Sequence, residues 1–354
     1  MVKQSSSRDF YQALRGNARI DIIIPFHNDR ATLARALASV AMQTIAEDVD
    51  VTLVDDSSDD SCEDILKAFS HLISLRVLHA PSPSGYPGRA RAFALERTSN
   101  AFVAFIDADD TLADAFSLAR LFSVVLTCPA CHVACGAFAA VVNEWAGTQF
   151  IAHRDDHIHV FAKLYRRSFL EENGLSFPTE LSCAKYNEDY GFNAPIFLCF
   201  QENTLFIPEI VYHWHESPGS LTRSADPAAF LAQMDGLANN MIFAFEKCRA
   251  LSAQGKAHLT PDALVLSAPY YLLRLFKAYC QAQEQGAGAP SLLSSAQQFY
   301  RRAFLPLCAE ASPQAVVQAT LRVRELCGAS GGNAERTQAF DAFWASLPPD
   351  GQAC

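Results

Sequence analysis

The chain reads as an α/β protein: a doubly wound, mostly parallel, Rossmann-like sheet with a helical C-terminal extension. Three observations predict this. Short apolar runs such as Asp21–Phe26, Val51–Val54 and Phe102–Ile106 end in polar, turn-forming residues, as strands buried on both faces do. Segments with apolar residues at helical spacing lie between them, so the order alternates strand and helix with short links. Beyond about residue 225 only the helical period remains.

Each element follows in order. Residues 1–18 are a polar lead-in. Asp21-Ile22-Ile23-Ile24-Pro25-Phe26 is a first strand, closed by His27-Asn28-Asp29, and Asp29 is placed to cap a helix carrying Leu33, Leu37 and Val40. Val51–Val54 is a second strand ending in Asp55-Asp56. A helix with Ile65, Leu66 and Phe69 and a strand at Leu75–Leu78 follow. The turn-rich loop 80–88 leads into a helix from about Arg89 to Thr98, and then into the strand at Phe102. The uncharged stretch Leu121–Val142 reads as the end of a helix, a turn at Cys128-Pro129 and a buried strand from about Cys131. Val160–Leu170 begins as a strand and becomes a helix, and Phe206–Trp214 is extended. Helices follow from about Pro227, with linkers at 286–290 and 328–332. The predicted division is a lead-in (1–18), a catalytic domain (19–224) and a helical region (225–354).

Composition narrows the function. With 28 Lys and Arg against 38 Asp and Glu, the net charge is -10. That argues against a nucleic-acid partner, which needs clustered cations. The N-terminus lacks an apolar signal core, and the eleven cysteines are scattered. Both point to a reducing cytoplasm, with docking at the inner membrane face as the peripheral variant. The Cys128, Cys131, His132 and Cys135 group fits no four-ligand zinc spacing well and reads as buried thiols.

The chemistry concentrates at strand ends. Asp55 and Asp56 close the second strand. Arg89 and Arg91 open a helix. Asp107, Asp109 and Asp110 follow the apolar run Phe102–Ile106, and Glu188-Asp189 lies further on. In an open α/β sheet the first three groups fall on the carboxyl-terminal edge, where ligands bind. Carboxylates this close repel one another, and hard oxygen donors suit Mg²⁺ or Mn²⁺.

The order of these pieces resembles an inverting family 2 glycosyltransferase of the GT-A fold. The motifs are Ile23-Ile24-Pro25-Phe26-His27-Asn28, Ser39-Val40-Ala41-Met42-Gln43-Thr44, Val54-Asp55-Asp56-Ser57-Ser58-Asp59, Gly88-Arg89-Ala90-Arg91-Ala92, Phe105-Ile106-Asp107-Ala108-Asp109-Asp110, the run Lys163–Phe177, and Glu188-Asp189. They span about residues 19–223. Ala92 stands where the family usually has Asn.

The resemblance implies roles. Pro25, Phe26, His27 and Asn28 would line the nucleotide pocket, and Asp56 would hold the base. Arg91 would balance the diphosphate, with Asp107 and Ala108 in the donor site. Asp109 would ligate Mn²⁺ or Mg²⁺. His213-Trp214-His215 precedes Gly219-Ser220 as an aromatic-basic segment does in relatives, and offers His215, with His213 as its alternative, as a further ligand. Asp189 would be the general base, with Glu188 as runner-up. The expected partners are a nucleotide-sugar donor of the UDP-sugar type and a glycan, lipid-linked or other hydroxyl acceptor, and the C-terminal helices offer a homo-oligomer interface. Two rival readings stand beside it. Asp107-Ala108-Asp109-Asp110-Thr111 matches the D-x-D-x-T of haloacid-dehalogenase-type phosphohydrolases, although that family carries it on its first strand. The other rival is a non-catalytic sugar-nucleotide-binding scaffold.

Overall fold

A computed structural model describes residues 16–80, 86–144, 147–180, 182–216, 227–284, 290–328 and 334–347. Most of the polar lead-in and of both predicted linkers, and the Gly219-Ser220 pair, lie outside these residues. The chain divides into two compact units. One comprises Met1–Phe177 and Phe200–Pro218, the other Pro178–Cys199 and Gly219–Cys354. The sequence reading assigns all of 19–224 to one domain, whereas packing groups 178–199 with the C-terminal helices.

The first unit opens with β1 (Ile20–Phe26), α1 (Arg30–Ala41), β2 (Val49–Asp55), α2 (Glu63–Phe69), β3 (Ser74–His79), α3 (Pro87–Leu95) and β4 (Phe102–Phe105). This is the strand–helix alternation that the apolar runs predict. It continues with β5 (Thr111–Leu112), α4 (Ser117–Thr127), β6 (Val133–Glu144), β7 (Gly147–His153), β8 (Lys163–Arg166), α5 (Arg167–Glu172) and β9 (Thr204–His215). All nine strands form one sheet in the order β3-β2-β1-β4-β8-β6-β9-β5, with β7 paired to β6. The strands from β3 to β4 run parallel. The pairs β4–β8, β6–β8, β6–β7 and β5–β9 are antiparallel, and β6–β9 is parallel. The sequence shows neither the two-residue β5 nor the β6–β7 hairpin.

Alternation within the strands explains the two layers. Ile20, Ile22 and Ile24 of β1, Val51 and Leu53 of β2, and Phe102 and Ala104 of β4 share a core with Leu33 and Leu37 of α1 and Leu121, Phe122 and Val125 of α4. Ile23, Val54, Val103 and Phe105 alternate with them and are also buried. α3 packs on β1 and β2, and its buried positions Ala90, Ala92 and Ala94 are small enough for close approach.

The Lys163–Phe177 motif turns out to staple this sheet. Arg167, at the start of α5, donates to the Asp21 carboxylate (2.9 Å), Thr98 Oγ1 (2.8 Å) and the carbonyls of Asn100 and Leu95. Asp21 also accepts from the backbone N–H and side-chain amide of Asn100. Arg166 donates to the Val125 and Cys131 carbonyls. Lys163, almost wholly buried, donates to Asp156 (2.7 Å) and the His159 carbonyl. The Ser39–Thr44 motif is also a brace. Gln43 donates to the Ser39 and Asp114 carbonyls and accepts from Leu118 N–H, while Ser39 Oγ accepts from Leu112 N–H. It thereby anchors the chain that follows the carboxylate turn. Burial pushes the Cys135 thiol up to about 12, as an inert core thiol requires.

The second unit contains α6 (Glu188–Cys199), α7 (Pro227–Ala253), α8 (Pro261–Glu284), α9 (Pro290–Phe299), a π-helical turn at Tyr300–Phe304, α10 (Leu305–Glu310), α11 (Pro313–Leu326) and α12 (Ala334–Ser346). Among the described residues no helix is long and apolar enough to cross a membrane.

Removing one partner of a buried, hydrogen-bonded pair leaves an uncompensated charge, at a cost of about 3–5 kcal/mol. Asp21→Ala strands Arg167 in this way. We expect its urea midpoint to fall by an amount worth about 3 kcal/mol or more with the slope unchanged, checked by circular dichroism.

Candidate active site

The site in the first unit is built from the carboxyl ends of β1, β2 and β4. β1 ends in Pro25 and Phe26, and β2 in Asp55. The two ends are cross-tied: Asp56 N–H donates to the Phe26 carbonyl, and His27 Nδ1 donates to the Asp56 carbonyl at 2.9 Å. Asn28 adopts φ 58° and Ser57 φ 65°, left-handed conformations that Asn tolerates better than Ser. The turn lets Asn28 N–H reach Ser58 Oγ and Asn28 Oδ1 accept from Asp59 N–H. Pro25, Phe26, His27, Asn28 and Asp56 are therefore brought together at the ends of β1 and β2. His27 and Asn28 are exposed and Asp56 is buried.

Asp29 departs from expectation. It stands at the N-cap of α1, but its side chain makes no cap hydrogen bond. Its carboxylate instead accepts from His27 N–H at 2.9 Å. Burial, then Asp60 and Asp107, raise its pKa, so it faces the other carboxylates.

After β4 the chain turns through Asp107–Asp110, with Asp110 N–H donating to the Asp107 carbonyl. The three carboxylates meet different fates. Asp107 accepts from Arg91 at 2.5 Å. Arg91 is nearly enclosed, with its guanidinium 5.8 Å from the Phe177 ring centre. The sequence expects Arg91 beside a diphosphate; here it holds Asp107. Asp110 is fully buried and accepts from Tyr212 Oη (2.8 Å) and His215 N–H (2.7 Å). Burial, then Asp107 and Asp109, push its pKa well up. Asp109 is half-buried, and burial, then Asp107 and Asp29, raise it to about 6. Ala108 between them is buried. Arg35 from α1 donates to the Asp109 carbonyl.

β9 delivers the histidines. Its pairing with β5 sets Thr111 opposite His213, and His215 Nε2 lies 3.1 Å from Thr111 Oγ1. Burial, then Arg35 and His213, lower His215 to about 4, so its imidazole is neutral at pH 7, as a metal ligand must be. His213 sits 5.2 Å from the Phe150 ring. Among the described residues no group of three or more His, Cys, Asp or Glu is poised to hold a metal. Asp109, half-buried with Asp107 and Asp29 near it, is the carboxylate of the turn that could hold a hard divalent cation.

Glu188 and Asp189 belong to the second unit, at the first turn of α6, where the helix dipole favours carboxylates. Glu188 is buried and Asp189 half-buried. The turn before them is held firmly. Asn187 takes φ 57° and donates to the Gln233 carbonyl, while Asn240 Nδ2 lies within 2.9 Å of the carbonyls of Cys183, Tyr186 and Gly236. A Cβ on Gly191 would meet Asn240 Oδ1 at 2.3 Å, so glycine is required there.

Sequence reasoning missed Asp29, Arg35 and Tyr212 as site residues, and gave Asp110 no role beyond its place among the strand-end carboxylates. Asp29 looked like a cap and Tyr212 like part of an apolar strand. Nothing local distinguished Arg35 from a solvated helix residue. The phosphohydrolase reading loses its footing, since β4 is the fourth strand and Asp107 is bound to Arg91.

Comparison with known proteins agrees with this architecture. Residues 21–175 match the family model for glycosyl transferase family 2. The poly(ribitol-phosphate) beta-N-acetylglucosaminyltransferase TarS of Staphylococcus aureus is 27% identical over 216 residues, which is 58% of this chain and 37% of that protein. A poly(ribitol-phosphate) beta-glucosyltransferase of Bacillus spizizenii is 26% identical over 179 residues, 47% of this chain and 28% of that protein. The chain thus spans between about a quarter and two fifths of the length of these relatives. The crystal structure of S. aureus TarS 1–349 in complex with UDP-GlcNAc superposes with a TM-score of 0.65 at 17% identity, covering 92% of each chain, which establishes the likeness of fold. Residues 21–175 are thus similar to the family 2 glycosyltransferases, and the fold is similar to that of the TarS fragment.

Proposed function

We propose that the protein is a metal-dependent inverting glycosyltransferase. It would move one sugar from a nucleotide-diphosphate donor, a UDP-sugar, to an acceptor hydroxyl in surface polysaccharide or glycan synthesis. The observation that carries this is the carboxylate turn Asp107–Asp109 beside the cross-tied ends of β1 and β2. The TarS fragment of the same fold binds UDP-GlcNAc, and the relatives named above act on poly(ribitol phosphate), which supports the choice of donor and a polyol-type acceptor. We place the reaction in the cytoplasm or at the inner membrane face.

In this reading Pro25 to Asn28 and Asp56 cradle the nucleoside. Arg91 fixes Asp107 so that one of its carboxylate oxygens stays in the donor site. A bound Mn²⁺ or Mg²⁺ would neutralise the departing diphosphate, and Asp109, with His215, would hold it. A cation completed by the diphosphate oxygens needs only one or two protein ligands. Asp189 accepts the proton of the acceptor hydroxyl as its oxygen bonds to the anomeric carbon. The carbon–oxygen bond to the diphosphate breaks, and the nucleoside diphosphate leaves on the opposite face. Asp189 suits this role better than Glu188 because it is the more accessible of the two.

The test is release of UDP from a panel of UDP-sugars with Mn²⁺, with and without a polyol-phosphate acceptor. Acceptor-stimulated release is the expected result. No release from, and no binding of, any nucleotide sugar would sink the reading. Asp189→Asn should lower turnover by about 10²–10⁴-fold with donor affinity retained; full turnover in that variant would remove Asp189 as base.

Asp109 gives a stability prediction. Its folded pKa, about 6, lies above the ordinary 3.8, so the folded state takes up the proton more readily. Its contribution is favourable below about pH 4 and is lost as pH rises through about 6. Without donor or metal, Asp109→Asn should therefore match wild type near pH 4 and exceed it by on the order of 1–2 kcal/mol at pH 7.5. Chemical denaturation at the two pH values measures this.

A further inference from the structure

Tyr212 is fully buried near the carboxyl end of β9, with its ring stacked flat on Phe161 at 4.4 Å. Phe161 is in turn held edge-on by Phe138 at 5.1 Å. The strand reaches this position because Gly136 of β6 carries no side chain: a Cβ there would meet Val211 Cγ2 at 2.4 Å. After an irregularity at that point, Phe138 pairs with Tyr212 and Val141 with His215. The ring therefore has one place to sit, and its hydroxyl lands in the carboxylate turn. There Tyr212 Oη accepts from Asp107 N–H at 3.1 Å and donates to Asp110 Oδ2 at 2.8 Å. Asp110 Oδ1 takes the backbone N–H of His215 at 2.7 Å, and the ring of His215 meets Thr111 Oγ1. One hydroxyl and one carboxylate thus join the start of the turn, its end and the His215 backbone. The two candidate cation ligands, Asp109 and His215, sit on the two arms of this clamp.

We propose that Tyr212 and Asp110 are positioning residues for the cation site, setting the separation between the Asp109 carboxylate and the His215 imidazole. This rests on the functional reading above, in which those two groups hold the cation. Neither Tyr212 nor Asp110 touches donor or acceptor; they act through the turn and through β9. Groups that orient metal ligands in this way typically change metal affinity about 10–100-fold when removed.

The experiment is a Mn²⁺ titration by electron paramagnetic resonance at fixed UDP, on wild type, Tyr212→Phe and Asp110→Asn. Uridine affinity without metal is measured alongside. Tyr212→Phe keeps the ring on Phe161 and loses only the hydroxyl. Asp110→Asn keeps the size of the side chain and removes one of the two acceptors of the clamp, so it serves if the first variant folds poorly. The expected result is a rise of about tenfold or more in Mn²⁺ half-saturation for each variant, with uridine affinity unchanged. A merely structural loss would weaken uridine binding as well. Unchanged half-saturation in a folded variant overturns the positioning role while leaving the functional reading intact. If wild type binds neither UDP nor Mn²⁺, both fall.

Discussion

Crowding of carboxylates at the end of β4 is the constraint on which the rest of the structure depends. Asp107, Asp109 and Asp110 fall within four residues, and Asp29 approaches from β1. Like charges this close are unfavourable unless each finds compensation. Arg91 compensates Asp107. Asp110 is drawn into the core between Tyr212 and the His215 backbone, where its raised pKa favours the neutral acid. Among the described residues Asp109 has no such cation beside its carboxylate, and burial, then Asp107 and Asp29, raise its pKa to about 6. Carboxylates with perturbed pKa values cluster at functional sites.

Holding such a turn requires a rigid frame. The motifs with the strongest family resemblance largely serve that purpose. Arg167 ties α5 to β1 through Asp21. Lys163 and Asp156 anchor the strand beside β4. Gln43 and Ser39 clamp the chain directly after the carboxylates. Each is held by hydrogen bonds within the protein, which commits it to the frame. Motif strength in the sequence and contact with substrate are therefore separate properties in this fold.

What was legible in the sequence follows from the range of the interactions. β1 to β4 and their helices were readable because each apolar run and each helical stripe is local. The meeting of the strand-end residues followed from topology, since parallel strands bring the ends of β1, β2 and β4 to one edge. β5 and the β6–β7 hairpin were not readable: the first is two residues long, and the second has no turn signal in the sequence strong enough to mark it. Asp110, Tyr212 and Arg35 depend on contacts with residues about 75–105 positions away in sequence. No local pattern encodes these. The affiliation of 178–199 with the helical unit was hidden for the same reason, because Asn240 and Gln233 fix that segment from far along the chain.

The central claim is that the charge left on Asp109 is completed by a divalent cation shared with the donor diphosphate. Calorimetric titration of UDP into the protein at pH 7.5, with Mn²⁺ and then with excess chelator, tests it most directly. The account predicts saturable binding with Mn²⁺ that weakens by at least about tenfold, roughly 1.4 kcal/mol, when the metal is removed. Equal affinity in both conditions would contradict it.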